Sequence, residues 1–206
     1  EDAILPVLPY IRDAMVRSHA RTIEQSILMG GHADALVSGA YNGLAQLASS
    51  GVDNKTLNMQ AGSPSASPGL FKAADLLDMR QAMGKYGRNP TDLVYIVSMD
   101  AYYDILDDAA FADLSQVSQT AIKITGQIGS VYGTPVIVCD EFPTKADGKV
   151  CAIAVNTRNF VIPVLRGVTV EQDYDVENQR RVLVATQRRG FTRMFTSVGQ
   201  VVAKTW

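Results

Sequence analysis

The feature that most constrains this chain is an uninterrupted helical pattern at one end facing a purely β pattern at the other. From Pro9 to Met29 the apolar residues Ile11, Met15, Ile23 and Ile27, with Leu8 ahead of them, recur at spacings that put them on one helical face. Pro9 suits a first turn and Gly30-Gly31 a C-terminal stop, so the spacing predicts one long helix. Its other side carries Arg12, Asp13, Arg17, Arg21 and Glu24, with Asp13 and Arg17 four apart and able to pair. At the far end Val168 and Val170 alternate with polar residues, and Val182, Val184 and Thr186 oppose Leu183 and Ala185. That period of two predicts two long antiparallel strands joined around Asp175 to Asn178.

Between these ends the pattern is mixed, which makes the expected class α+β. Residues 31–69 have weak periodicity and finish in Gly62-Ser63-Pro64-Ser65-Ala66-Ser67-Pro68-Gly69, so they read as a long loop of the kind that gains order against a neighbouring molecule. A second helix is expected from about Leu70 to Tyr86, with Ala73, Leu76, Leu77, Met83 and Tyr86 on its apolar side. Leu93 to Val97 is wholly apolar, as in a central buried strand, and Ser98 or Asp100 caps a third, acidic helix through Asp108. Thr134–Cys139 and Val150–Val155 look like strands joined as a hairpin across Ala146-Asp147-Gly148. Pro163 interrupts the run from Arg158 to Leu165, which marks an edge or a bulge.

Composition excludes several functions. With 206 residues, 47% of them hydrophobic and 19% charged, the chain has material for a core without staples. A net charge of -2 gives no overall basic field for holding nucleic acid. No apolar run approaches the roughly 20 residues that span a bilayer, and no basic stretch leads into an apolar one, so neither a membrane span nor a signal peptide is expected. The chain opens at Glu1 inside an apolar pattern, which suggests an upstream segment. Cys139 and Cys151 are expected to be reduced, buried thiols.

Catalytic chemistry is hard to assemble from these residues. There are two histidines, His19 and His32, and no G-x-S-x-G, H-E-x-x-H or C-x-x-C motif. His32 with Asp34 makes a poor metal site, and Gly126, Gly129 and Gly133 precede a strand where a phosphate loop would follow one. No catalytic residue, cofactor or metal is therefore assigned. Asp100, Asp104, Asp107, Asp108 and Asp113 form the one dense acidic cluster; its bland reading is a solvated helix face, and its functional reading a hydrolase.

Taken in order, the long helix, the glycine-rich loop, the α/β lobe, Gly133-Thr134-Pro135-Val136-Ile137-Val138, Gly167-Val168-Thr169-Val170-Glu171 and Arg181 to Phe191 resemble the major capsid protein of tailed bacteriophages, with the Hong Kong 97 capsid fold. The resemblance implies a peripheral domain at 1–60 with a spine helix, an axial domain at 61–157, peripheral strands at 158–195 and a C-terminal segment at 196–206. It also implies a non-enzymatic subunit that assembles with itself, as pentamers and hexamers, into an icosahedral shell enclosing double-stranded DNA. Scaffold and portal proteins would be further partners, contact with the packaged DNA would be weak and non-specific, and no membrane would be involved. The location would be the virion capsid, after synthesis in the bacterial host cytoplasm. Family members carry an N-terminal arm and an extended hairpin before the spine helix, which this chain does not show. Arg12, Arg17, Arg21, Arg188 and Arg189 are the candidate subunit-facing or DNA-facing contacts, the alternative for them being ion pairs within or between subunits. A nanocompartment shell of the encapsulin type shares the fold and is the alternative function, and a nucleic-acid module using those arginines is a further one.

Overall fold

The structure, a computed structural model, describes residues 7–35, 41–49, 56–58, 69–107 and 129–206. Helix α1 spans Val7–Met29, so Pro9 lies in its first turn, where a missing N–H leaves no broken hydrogen bond. Only Ser26, Leu28 and Met29 of this helix are buried. Ile11, Met15 and Ile23 share a face as expected, but this chain does not cover that face fully, and Ile11 is 43% exposed.

The expectation of a featureless loop over residues 31–69 is corrected. Helix α2 (Leu44–Ser49) lies there and buries Leu44, Ala45 and Ala48, and strand β1 (Thr56–Asn58) follows; residues 59–68 are outside the described ones. The signal that periodicity missed is a pair of glycines. The Gly43 N–H donates to the Gly30 carbonyl at 2.7 Å, and a Cβ on Gly43 would sit 2.5 Å from the Gly30 nitrogen. Two backbones that close leave no room for a side chain, so α2 folds directly onto the end of α1.

Helix α3 (Ala73–Ala82) is shorter than the expected Leu70–Tyr86 and ends in a 3-10 turn, Gly84–Gly87. At its start the Asp75 carboxylate accepts the Lys72 N–H at 2.8 Å. Leu76, Met79 and Met83 are buried, whereas Leu77, expected inside, is exposed. Strand β2 (Leu93–Ser98) leads directly into helix α4 (Met99–Asp107), whose first turn is held by Ser98 Oγ accepting the Ala101 N–H at 3.2 Å. Strands β3 (Ser130–Val131) and β4 (Thr134–Cys139) form a hairpin whose two turn residues, Tyr132 and Gly133, both have positive φ, 51° and 76°. Then come β5 (Val150–Asn156), β6 (Phe160–Val161), β7 (Val164–Asp175), β8 (Arg180–Arg189), β9 (Thr192–Arg193) and β10 (Val201–Thr205).

Six strands form one sheet in the order β1-β10-β5-β2-β4-β3. β4 runs parallel to β2, and β5 antiparallel to both β2 and β10. The expected β4–β5 hairpin is therefore wrong: β2 lies between the two strands. The turn at Ala146 to Lys149 does form, with the Lys149 N–H donating to Ala146 O at 3.1 Å, but turn chemistry does not choose a strand's neighbour. The apolar β2 can be buried on both faces, and that earns it the position in the middle.

One face of the sheet packs against α3 and α4 through Tyr95, Val97, Leu76, Met79, Ile105 and Trp206. The other packs against α2 and the end of α1 through Ile153, Val155, Val201, Leu28 and Leu44. Each such fully buried side chain contributes about 1.5–3 kcal/mol, so this three-layer lobe has a core of its own. Cys139 and Cys151 are free thiols on opposite faces of the sheet. β10 carries a nearly buried Lys204 whose ammonium sits 2.9 Å from Asp75 of α3.

The β7–β8 pair is separate from that sheet and bonds only within itself among the described strands. It is rooted at β6 and β9, where the Gly190 N–H donates to Pro163 O at 2.9 Å and the Met194 N–H to Asn159 O at 2.9 Å. Pro163 thus marks the break between β6 and β7, as the sequence suggested.

Candidate assembly surface

Among the described residues, nothing covers most of α1 or either end of the β7–β8 ribbon. Cross-strand pairs alternate along the ribbon: Glu171 with Val184 and Asp173 with Val182 on one face, Val170 with Ala185 and Gln172 with Leu183 on the other. The second face meets α1, where Arg12 donates from Nη2 to Gln172 Oε1 at 2.7 Å. At the tip the carboxyl of Asp175 is held below the usual carboxylate range by the side-chain amide of Asn178, then by its backbone N–H, with Arg180 adding a weaker pull. This fixes the turn that the sequence placed at Asp175 to Asn178.

A free two-stranded ribbon is marginal in water, and this one is also apolar where it is wet. Leu165 at the root is 80% exposed and Val176 at the tip 75%, with Val164, Val182 and Val184 also exposed between them. Helix α1 adds exposed Val7, Tyr10 and Val16. The chain buries its core fully elsewhere, so these residues are not left over for want of space. Exposed large apolar side chains gathered on one ribbon and one helix mark contact with other molecules.

The five arginines do not form one patch. Arg17 pairs with Asp13 one turn earlier on α1, as the four-residue spacing predicted. Arg21 reaches the lobe, with Nε 2.6 Å from Glu141 Oε1. Arg188 and Arg189 lie at the root of the ribbon, opposite Arg166 and Val164. There the Gln187 carbonyl oxygen, in the amide orientation that satisfies both groups, accepts from Arg189 Nε at 2.7 Å. Arg166 in turn donates to Glu171 at 2.8 Å. Arg12, Arg17 and Arg21 therefore follow the helix from the ribbon to the lobe, while Arg188 and Arg189 stand apart.

Sequence reasoning missed Glu141 and Gln25. The Glu141 carboxylate is nearly buried and takes the Gln25 amide as well as Arg21, so α1 is bolted to the segment after β4. Beside it, burial pushes the Cys139 thiol up to about 12, with the neighbouring Glu24 adding to the rise. An acidic pair, Asp140-Glu141, set between the apolar run ending at Cys139 and Phe142 was the available signal.

The described carboxylates of the acidic cluster are either ion-paired or solvated. Asp104 is taken up by Lys145 Nζ at 2.7 Å and by the Phe71 N–H at 3.1 Å, while Asp100 and Asp107 are exposed; Asp108 and Asp113 lie outside the described residues. His32 Nδ1 accepts the Asp34 N–H, and Asp34 is bound by Lys149 at 2.5 Å. No group of metal-ligating side chains occurs among the described residues, and no described helix is long and apolar enough to cross a membrane.

Comparison with known proteins agrees with this geometry. A family model described as phage capsid protein matches residues 2–194. The chain is 37% identical over 197 residues to the major capsid protein of Escherichia phage T5, which covers 96% of this chain and 41% of that protein. The chain thus spans about two fifths of that relative's length. Among solved structures, the capsid of a native GTA particle superposes with a TM-score of 0.71 at 15% identity, covering 100% of this chain and 67% of that one. The capsid of the cyanophage P-SCSP1u gives 0.70 at 12% identity, with the same coverage. These neighbours establish the α+β Hong Kong 97-type capsid fold.

Proposed function

Because the chain belongs to the phage capsid protein family, we propose that it is the shell-forming part of a major capsid protein, acting through lateral contacts between copies and not through turnover. The observation that carries this reading is the exposed apolar surface of α1 and the β7–β8 ribbon beside a lobe that has its own complete core. The three-layer lobe is the axial domain in this reading, and it takes in α2, β1, β10 and the end of α1 from outside 61–157. Helix α1 and the ribbon form the peripheral domain, the ribbon lying beside the spine helix through Arg12 and Gln172.

Arg12, Arg17, Arg188 and Arg189 meet neighbouring subunits or the packaged duplex, while Arg21 serves chiefly within the subunit. Attraction to DNA is weak, since the net charge is -2 and Arg17 and Arg21 have carboxylate partners. A genome driven in by a motor gains nothing from an adhesive wall. Pentamers and hexamers, scaffold and portal partners, residence in the virion capsid and synthesis in the host cytoplasm belong to the same proposal.

Expression of the whole encoded protein with its scaffold tests it. Electron microscopy is expected to show closed shells. Monodisperse monomers under every condition would overturn the reading.

A further inference from the structure

The helical layer of the lobe carries opposite charges at its two ends. At one end lies a shallow cleft of about 390 Å³ lined by Leu77, Arg80, Gln81, Gly84, Gly87 and Arg88. Arg80 donates from Nε to Gly87 O at 2.7 Å and from its terminal nitrogens to Arg88 O at 3.1 Å and Tyr132 O at 3.2 Å. All three acceptors are neutral carbonyls, so the guanidinium is fixed in place without being neutralised. Arg88 adds a second, exposed guanidinium that makes no ion pair among the described residues. Exposed Leu77 supplies an apolar patch. One fixed and one exposed guanidinium beside an apolar patch suit a partner that presents carboxylates next to an aromatic or apolar side chain.

Helix α4 presents that combination. Asp100, Tyr103 and Asp107 recur at i, i+3 and i+7 and share one exposed face, with Met99 four residues before Tyr103. Lys145 gives its ammonium to Asp104, and among the described residues Asp100 receives only the Lys145 backbone N–H at 3.3 Å. Asp107 has no cation among the described residues.

The two faces cannot meet within one copy. The Phe71 N–H, just ahead of α3, reaches Asp104 on α4, so α3 begins beside α4. The cleft's fixed guanidinium lies toward the other end of α3, Arg80 being nine residues from Phe71, or about 14 Å. A contact between such faces runs head to tail between copies, and a repeated head-to-tail contact makes a ring when its rotation closes. We infer that the Asp100–Tyr103–Asp107 face of one copy docks in the Arg80–Arg88 cleft of the next and closes the ring of lobes around a symmetry axis. This rests on the assembly reading above.

Charge exchange in the whole encoded protein, co-expressed with its scaffold, tests the pairing. Arg88→Glu and Asp107→Arg are each expected to reduce the shell yield by about tenfold or more, and the double exchange to restore it. Single variants that assemble like wild type overturn the inference, as does an exchange that folds without restoring shells. If a single variant loses its fold, the pair Arg88→Cys and Asp107→Cys in one chain decides: shells should give a ladder of cross-linked chains under oxidation, and shells without a ladder overturn the pairing. Wild-type protein that never assembles sinks the parent reading and this inference with it.

Discussion

Arg21 on α1 donates from Nε to Glu141 Oε1 at 2.6 Å, a bond between residues 120 positions apart that joins the long helix to the lobe. The pair is lopsided, since the Glu141 side chain is 8% exposed and that of Arg21 64%. The carboxylate has given up its water and depends on its donors; the guanidinium has not. Arg21→Ala leaves a buried carboxylate with the Gln25 amide, so the expected loss is about 1–3 kcal/mol. That is below the roughly 3–5 kcal/mol of a fully buried pair. Glu141→Gln removes the charge that needs solvating and should cost less. Urea unfolding of both variants checks this, and equal losses would contradict the asymmetry.

The two thiols give a pH prediction. Burial raises both above the ordinary thiol value of 9.0, Cys139 to about 12 and Cys151 further still, with Asp75 adding to the rise at Cys151. The native state therefore favours neutral thiols. Their contribution to stability is full below 9.0, where the unfolded thiols are also neutral, and is lost as pH climbs from there through the raised native values. A disulfide-exchange reagent at pH 8 should titrate neither cysteine in the folded protein and both after urea is added. Rapid reaction of the native protein would show that the thiols are more accessible than their burial implies.

How much of this was legible beforehand depended on the range of the signal. The α1 pattern, the β7–β8 alternation and its Asp175–Asn178 turn are local, and each appears where the spacing put it. Ser98 as the cap of α4 and the Asp13–Arg17 pair are local too. The neighbour of β4 was not legible, because strand order is decided by burial across the whole sheet. α2 was hidden for a different reason: six residues carry too short a period, and Gly30 and Gly43 signal close approach only once they are seen together. At the surface, the sequence offered the arginines as candidates, but the buried Glu141 that anchors Arg21 lies in the connection after Cys139 that was read only as a hairpin link.

Charges placed on the ribbon should spare the lobe's stability and block assembly. Leu165→Asp and Val176→Asp place a charge on side chains already exposed to water, so the lobe should melt within about 0.5 kcal/mol of wild type. In a contact between copies the same charge would be stripped of water, which costs several kcal/mol. Calorimetry together with sedimentation of the whole encoded protein separates the effects: unchanged melting with lost shells is expected. Normal shells from both variants would remove the ribbon from the contact surface.

Lys204 and Asp75 join β10 to α3 with a 2.9 Å ion pair in which the lysine side chain is 6% exposed. Lys204→Ala strands a partly exposed carboxylate that also holds the Lys72 N–H, and the expected loss is about 1–3 kcal/mol. Lys204→Met with Asp75→Asn keeps the volume and removes both charges. It should recover more than half of that loss, as a double-mutant cycle by chemical denaturation would read.

The α1–α2 junction makes the sharpest steric prediction. A Cβ on Gly43 would meet the Gly30 nitrogen at 2.5 Å, Ser26 O at 2.8 Å and Ile27 O at 2.9 Å, all backbone atoms that cannot turn aside as a side chain would. Gly43→Ala must therefore move α2 as a body and break the 2.7 Å bond from Gly43 to Gly30. Leu44, Ala45 and Ala48 would be drawn out of the core between α2 and the sheet with it. Overpacking typically costs about 1–3 kcal/mol, and the lost bond adds about 1 kcal/mol more. Hydrogen exchange should localise the damage, with protection falling at α2 and in the last turn of α1 while β2 and β5 stay protected. A variant as stable as wild type would mean that the two backbones are not in contact.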